Sequence, residues 1–320
     1  MNLIIRNFLI KSFNFFVICL ILFAAYRKIG KIDYVNLKNF NLIELIFVTI
    51  SSIFLWAIST FMLSRAWAII FTIVDIKTRI THKRLQQIFL LSNLGKYLPG
   101  SIFNFISRFF LLNNVGVDKK KFIYIIFVEL FTTIAIYVFL IASAIYYILY
   151  ISDLSLNLTY FKYNFLYDEI RYLHVAIFSF FLIFVYILYK IKNKFSAKLI
   201  FIQKLLEGRK KDISKILLLN ASVFLFEGIA FIIPIVFLNT QDFSVNLLIY
   251  ILTFYSLSVL IALVSPLSPA GLGVKEGLII ISLSEICTPN ILIVALIISR
   301  FSSIFSDIIL FLFAKYKLRD

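Results

Sequence analysis

The sequence predicts an all-α, polytopic membrane helix bundle, and three observations carry that prediction. The 320 residues are 62% hydrophobic, against roughly half in a soluble domain. Their mean hydropathy is +1.00. Only 15% are charged, and these cluster in short stretches between long apolar runs. A helix needs about 20 apolar residues to cross a hydrocarbon core. Only helices and closed barrels satisfy their backbone in lipid, and the runs here are too long and continuous for barrel strands.

Six runs read as full spans: 8–26, 43–63, 122–149, 172–189, 216–238 and 291–314. Two further apolar regions are interrupted. Region 85–112 is broken at Leu98-Pro99-Gly100-Ser101, and region 247–286 is broken between Ser265 and Gly273. Each is expected to form a re-entrant helical hairpin, with an eight-span arrangement as the alternative.

Loop charge orders these elements. The formal net charge of +16 sits in loops between apolar runs, which is the positive-inside pattern of a membrane protein rather than a nucleic-acid surface. The stretch 190–215 holds nine Lys and Arg and is expected on the cytoplasmic side, whereas 239–246 holds none. A single crossing at 85–112 would expel Arg65, Lys77, Arg79, Lys83 and Arg84 from that side. The region is therefore expected to return to the side it leaves, and the same logic applies to 247–286. The loop 27–42, with Arg27, Lys28, Lys31 and Lys38, fits this arrangement worst. The chain reads as one transmembrane domain, 1–320, with inverted halves 1–150 and 170–320, both termini cytoplasmic, in the cell membrane. No residue-level similarity between the halves supports the symmetry, which rests on topology and on the placement of the two breaks.

Other classes find little support. Cys19 and Cys287 have no metal or disulfide spacing, and His82 and His174 are isolated. The basic, apolar N-terminus lacks a good cleavage site before Tyr26-Arg27-Lys28 and reads as an uncleaved helix. No Gly-rich nucleotide loop is present. No cofactor, metal site or catalytic residue is expected.

Breaks in membrane helices matter because a restarting helix presents unpaired N–H groups and a positive dipole end, which favour an anion such as phosphate. Ser101 is a candidate N-cap after Pro99-Gly100, and a second half-helix is expected to begin near Val274 after Gly271 and Gly273. Lys96 and Arg108 flank the first break, and Lys275 and Glu276 open the second half-helix. The expected headgroup-binding set is thus Lys96, Gly100, Ser101, Arg108, Gly271, Gly273, Lys275 and Glu276. The full spans hold Glu129, Glu227, Arg300 and Asp307. Such charges cost roughly 2.5–3.5 kcal/mol at a bilayer centre on insertion scales and face partners or a wet cavity. They serve either as structural ion pairs or in charge coupling. Glu227 lies deepest, and Glu129 reads as near the interface. Arg300 and Asp307, seven residues apart, share one helix face.

The run Asn93 to Gly100, followed by Arg108 and Leu111 to Gly116, resembles the first signature of the lysylphosphatidylglycerol synthase transmembrane family. Ser265-Pro266 through Pro269 to Gly277 resembles its second, a Pro/Gly-rich turn ending in a basic-Glu-Gly triplet. Arg65-Ala66-Trp67 and Arg300 also look like family positions. The resemblance covers essentially the whole chain. It implies a flippase-like protein that moves a phospholipid or lipid-linked headgroup between leaflets. The family's soluble aminoacyl-transfer domain is not expected after Asp320, so the synthase activity is not carried over. Lys275 stands where an arginine is common, which weakens any bidentate phosphate clamp.

The expected partners are membrane lipids, anionic or phosphate-bearing, with a glycosyltransferase or lipid-modifying protein as a further candidate and no nucleic acid. The rival reading is an integral-membrane enzyme or partner of lipid-linked glycan or cell-envelope assembly. The short loops and the lack of paired acidic residues speak against the enzyme.

Overall fold

The structure is a computed structural model that describes residues 42–74, 80–98, 102–113, 115–148, 209–238, 244–264, 271, 273–284 and 286–316. The expected spans 8–26 and 172–189 lie outside the described residues, as do Gly100 and Ser101. In chain order the helices are α1 (Leu42–Val74), α2 (His82–Asn93), a 3-10 turn (Leu94–Tyr97), α3 (Phe103–Asn113), α4 (Lys119–Tyr146), α5 (Lys210–Leu238), α6 (Val245–Val264), α7 (Val274–Leu283) and α8 (Pro289–Tyr316). No strand occurs among the described residues. Five helices, α1, α4, α5, α6 and α8, are long and apolar enough to cross a membrane. The protein is an all-α, multi-pass membrane bundle.

Cross-helix hydrogen bonds set the relative directions. Ser52 and Ser59 of α1 bond Ala230 and Glu227 of α5, so these two helices run antiparallel. Ser302 Oγ donates to Thr49 O, and Thr60 bonds Asp307, so α1 and α8 run parallel. Thr133 and Tyr137 of α4 bond Asn220 and Glu227 of α5, again in parallel. Hence α1 and α4 are opposed, and so are α5 and α8. The chain between each opposed pair returns to the side it left, as the loop charges require.

The two returning regions differ in build. Helices α2 and α3, of 12 and 11 residues, rise roughly 18 and 17 Å, well short of a hydrocarbon core of about 30 Å. They form a hairpin that enters and leaves on one side. The second region has one long arm and one short one. Helix α6, at 20 residues, is of spanning length, and only α7, at 10 residues, is a half-helix. Continuous apolar sequence from Val245 to Val264 holds no proline or glycine to stop α6 earlier.

The interior is layered along the bundle axis. One apolar core packs Val48, Phe231, Ile251, Ile279 and Leu292 from five helices. A second packs Trp67, Phe71, Leu85, Phe89, Ile125 and Leu310. Between them each long helix turns polar. Ser59, Thr60 and Ser64 do so on α1, Asn220 and Glu227 on α5, and Ser299 through Asp307 on α8. Large apolar side chains such as Phe54, Phe139, Leu218 and Ile297 stay exposed on the outer faces, where lipid covers them.

Two local devices hold this arrangement. Pro234 sits inside α5 and has no N–H for the carbonyl of Ala230, four residues earlier. Ser52 Oγ of α1 donates to that carbonyl at 3.0 Å. Gly95 lies at the closest approach of the hairpin arms. A Cβ there would meet Asn104 N at 2.7 Å and Phe103 C at 2.8 Å, both backbone.

Gly95→Ala is therefore expected to destabilise the protein by about 1–3 kcal/mol through overpacking. Gly228→Ala, which meets only the movable end of Leu252, is expected to cost less. Reversible unfolding in mixed detergent micelles checks the ranking. Cys287, between α7 and α8, is buried, and burial pushes its thiol up to about 12. The thiolate is the reactive form, and it forms only as pH approaches the raised value. In a Cys19-free variant, maleimide labelling of the folded protein should stay low from about pH 7 to 9, where an unperturbed thiol near 8.5 becomes reactive. Labelling should become complete on unfolding, read by mass shift.

Candidate functional site

The polar layer is built where the returning regions meet α8. At the tip of the first hairpin, Asp307 of α8 gathers four donors. Asn93 Nδ2 donates at 2.8 Å, Tyr97 OH at 2.6 Å and Thr60 Oγ1 at 3.4 Å, and Lys96 Nζ lies 2.7 Å away. Asp307 is buried, whereas the Lys96 side chain keeps 28% of its surface exposed. The hairpin tip is thus tied to mid-bundle by a carboxylate with nearly all its lone pairs engaged.

Arg108 lies deeper in the hairpin and is 2% exposed. Its Nη1 donates to both Glu129 oxygens at 2.9 Å, and its Nε donates to Ser92 Oγ at 3.2 Å. The guanidinium stacks over Phe89 at 4.0 Å and lies 5.3 Å from the rings of Trp67 and Phe105. One side chain therefore joins α1, α2, α3 and α4. Glu129, expected near the interface, is buried as its partner. The neighbouring helices cover this pair.

At the second region, Gly271 and Gly273 adopt φ of 72° and 82°, a conformation that favours glycine. A Cβ at Gly271 would also meet the Ala262 Cβ at 2.9 Å. The turn thereby starts α7 against the end of α6. Glu276 caps it, with Gly273 N donating to Oε2 at 2.8 Å, while Oε1 lies 3.1 Å from Arg300 Nη2 of α8. Arg300 and Asp307 share a face of α8 as expected, and each answers a different returning region.

Two charges in this layer stand apart. Lys275 is 8% exposed, with Nζ 5.6 Å from the Trp56 ring and 5.4 Å from the Tyr255 ring. Among the described residues no carboxylate lies within 4.0 Å of it. Glu227, half-buried on α5, accepts from Ser59 Oγ at 3.2 Å and from Tyr137 OH at 3.0 Å. Among the described residues no cation reaches within 4.0 Å of its carboxylate.

Sequence reasoning missed Trp56, Tyr255, Tyr137, Ser59 and Thr60. One signal was present. The chain has two tryptophans, Trp56 and Trp67, eleven residues apart and so on one helical face. Each faces a basic residue of a returning region, Lys275 or Arg108.

Arg108→Met strands the Glu129 charge in the interior and is expected to cost about 3–5 kcal/mol. The double variant Arg108→Met, Glu129→Gln should recover most of that loss. A double-mutant cycle on unfolding checks it, and equal losses in the single and double variants would show that Arg108 acts by packing alone.

Comparison with known proteins finds no protein-family model and no curated protein that matches this chain.

Proposed function

We propose that this protein moves a phospholipid or lipid-linked headgroup between the leaflets of the cell membrane, its headgroup crossing the polar layer while the acyl tails stay in lipid. One observation carries this reading. A hairpin tip and a half-helix bring charged groups from opposite ends of the bundle to one mid-bundle layer. There Lys96 and Glu276 are paired, and Lys275 and Glu227 are not. Discontinuous helices that meet near a midplane are a recurring design for transport sites. The resemblance of the two break sequences to the lysylphosphatidylglycerol synthase transmembrane family supports the same reading, without the synthase activity. Lys275 and the N-terminus of α7 take the phosphate. Glu227 balances its charge. Lys96–Asp307 and Glu276–Arg300 hold the two returning segments to α8. The Arg108–Glu129 pair braces the hairpin and is not assigned to the headgroup.

The purified protein in proteoliposomes is expected to move a fluorescent phospholipid to the outer leaflet above the rate of empty vesicles. Lys275→Ala should slow this by about tenfold or more, the loss of one charge-assisted contact. A wild-type protein that moves no lipid sinks the proposal. Stable co-purification with a glycosyltransferase, joined to that result, would favour the role of partner in lipid-linked glycan assembly.

A further inference from the structure

Lys275 is surrounded by donors that have nothing to donate to. Its Nζ lies between the rings of Trp56 and Tyr255, which are 8% and 1% exposed. Trp56 Nε1 and Tyr255 OH are both buried without a hydrogen-bond partner. Ser299 Oγ lies beside Tyr255 OH but outside hydrogen-bond geometry. The first N–H groups of the ten-residue helix α7 have no intrahelical acceptor. An ammonium, an indole N–H, a phenol and a helix N-terminus are thus grouped where, among the described residues, the indole N–H and the phenol lack a hydrogen-bond partner and no carboxylate pairs with the ammonium. An oxyanion with several lone pairs, such as a phosphate ester, meets that need.

The opposite charge is close by. Ser59, which bonds Glu227, lies one turn from Trp56 on α1. Phe231, one turn beyond Glu227 on α5, stacks on Tyr255 with ring centroids 4.6 Å apart. Glu227 and Lys275 are therefore near neighbours inside the bundle, yet no ion pair joins them. Two of the lone-pair positions on the Glu227 carboxylate are taken by Ser59 and Tyr137, which leaves capacity for further N–H donors. A quaternary ammonium has no N–H to offer, and the aromatic faces that would otherwise hold it flank Lys275 instead.

We infer that this cluster of side chains binds a zwitterionic phosphate ester, its phosphate on Lys275, Trp56 Nε1, Tyr255 OH and the N-terminus of α7, and its primary ammonium on Glu227. The inference rests on the lipid-moving reading only for the source of the ligand. The ligand chemistry is shared by a lipid headgroup and by its soluble ester.

The test uses the full chain in detergent. Calorimetry compares glycerophosphoethanolamine, glycerophosphocholine and glycerophosphoglycerol. Native mass spectrometry compares the matching intact phospholipids. The ethanolamine ester is expected to bind about tenfold more tightly than the other two, the worth of one charge-assisted hydrogen bond. Glu227→Gln should erase that preference while leaving the glycerol ester unchanged. Trp56→Phe, which keeps the ring and removes the N–H, should weaken all three alike. Equal binding of the three esters by the wild-type protein overturns the inference, as does a preference that survives Glu227→Gln. Should Glu227→Gln fail to fold, Tyr137→Phe, which frees one carboxylate lone pair but keeps the ring, is expected to retain the preference. The same preference among intact lipids supports a lipid source, whereas preference among soluble esters alone supports the site with a free ester as its ligand. Lipid movement in proteoliposomes without headgroup preference overturns this inference alone. Preference without movement overturns the transport reading alone.

Discussion

A helix that stops inside a bilayer strands backbone donors and acceptors where lipid offers no partner. Two of the described segments break within the bundle, at Tyr97 and at Gly273, and much of the interior answers them. Helix α8 carries the answer. Its serines from Ser299 to Ser306 are small enough to let neighbouring helices approach. Its Arg300 and Asp307, two turns apart, reach out to the second and first returning segments with charges of opposite sign. Neither tip ends on lipid. Asp307 alone gathers groups from α1, α2 and the 3-10 turn, and Glu276 closes the first free N–H of its own turn while it pairs across to α8.

This constraint explains the layering. Water cannot be drawn to a broken helix end through a continuous apolar core, so the breaks lie in a polar stratum, with apolar packing above and below it. The stratum is uneven. Arg108 and Glu129 are sealed among aromatic rings, whereas Lys96, Glu276, Arg300 and Glu227 keep part of their surface open. Buried ion pairs add little net stability because desolvation offsets the Coulombic gain. What they supply here is position. The sealed pair fixes the hairpin as a unit, and the open pairs fasten the returning segments to α8.

Much of the fold was legible in the sequence because the bilayer makes length and hydropathy decisive. Apolar runs placed the described helices to within a few residues, except that α1 continues past position 63 to Val74, carrying Trp67 into the bundle while Arg65 stays exposed. Loop charge alone gave the opposed directions of α1 and α4 and of α5 and α8. Helix α6 stops at Val264, just before the break at Ser265 to Gly273, although such a break does not by itself tell whether the helix before it is half or whole. The charged site residues were legible because charge is rare in such a sequence. Their pairing was not, because it depends on which helices touch. Arg300 and Asp307 looked like a pair on one face and serve two different partners. Trp56, Tyr255 and Tyr137 were hidden among 18% aromatic residues, where lipid-facing bulk is the ordinary use.

The same pairing separates structural charges from those left for a ligand. Lys96, Arg108, Glu129, Glu276, Arg300 and Asp307 each meet an opposite charge within the protein. For these, a purely architectural role accounts for what is seen. Among the described residues, Lys275 and Glu227 meet no opposite charge in this way. An arginine at 275 would carry a planar fork of donors suited to a neighbouring carboxylate. The lysine that stands there is a compact charge held between two aromatic rings. Aromatic faces attract a cation without neutralising it, so Lys275 keeps its charge. Ser59 and Tyr137 do the same for Glu227, satisfying lone pairs without cancelling charge. A charge held in a low-dielectric layer by neutral partners is poised to act on whatever enters. That distinction, rather than the mere presence of charge in a membrane, is what favours Lys275 and Glu227 for the proposed role.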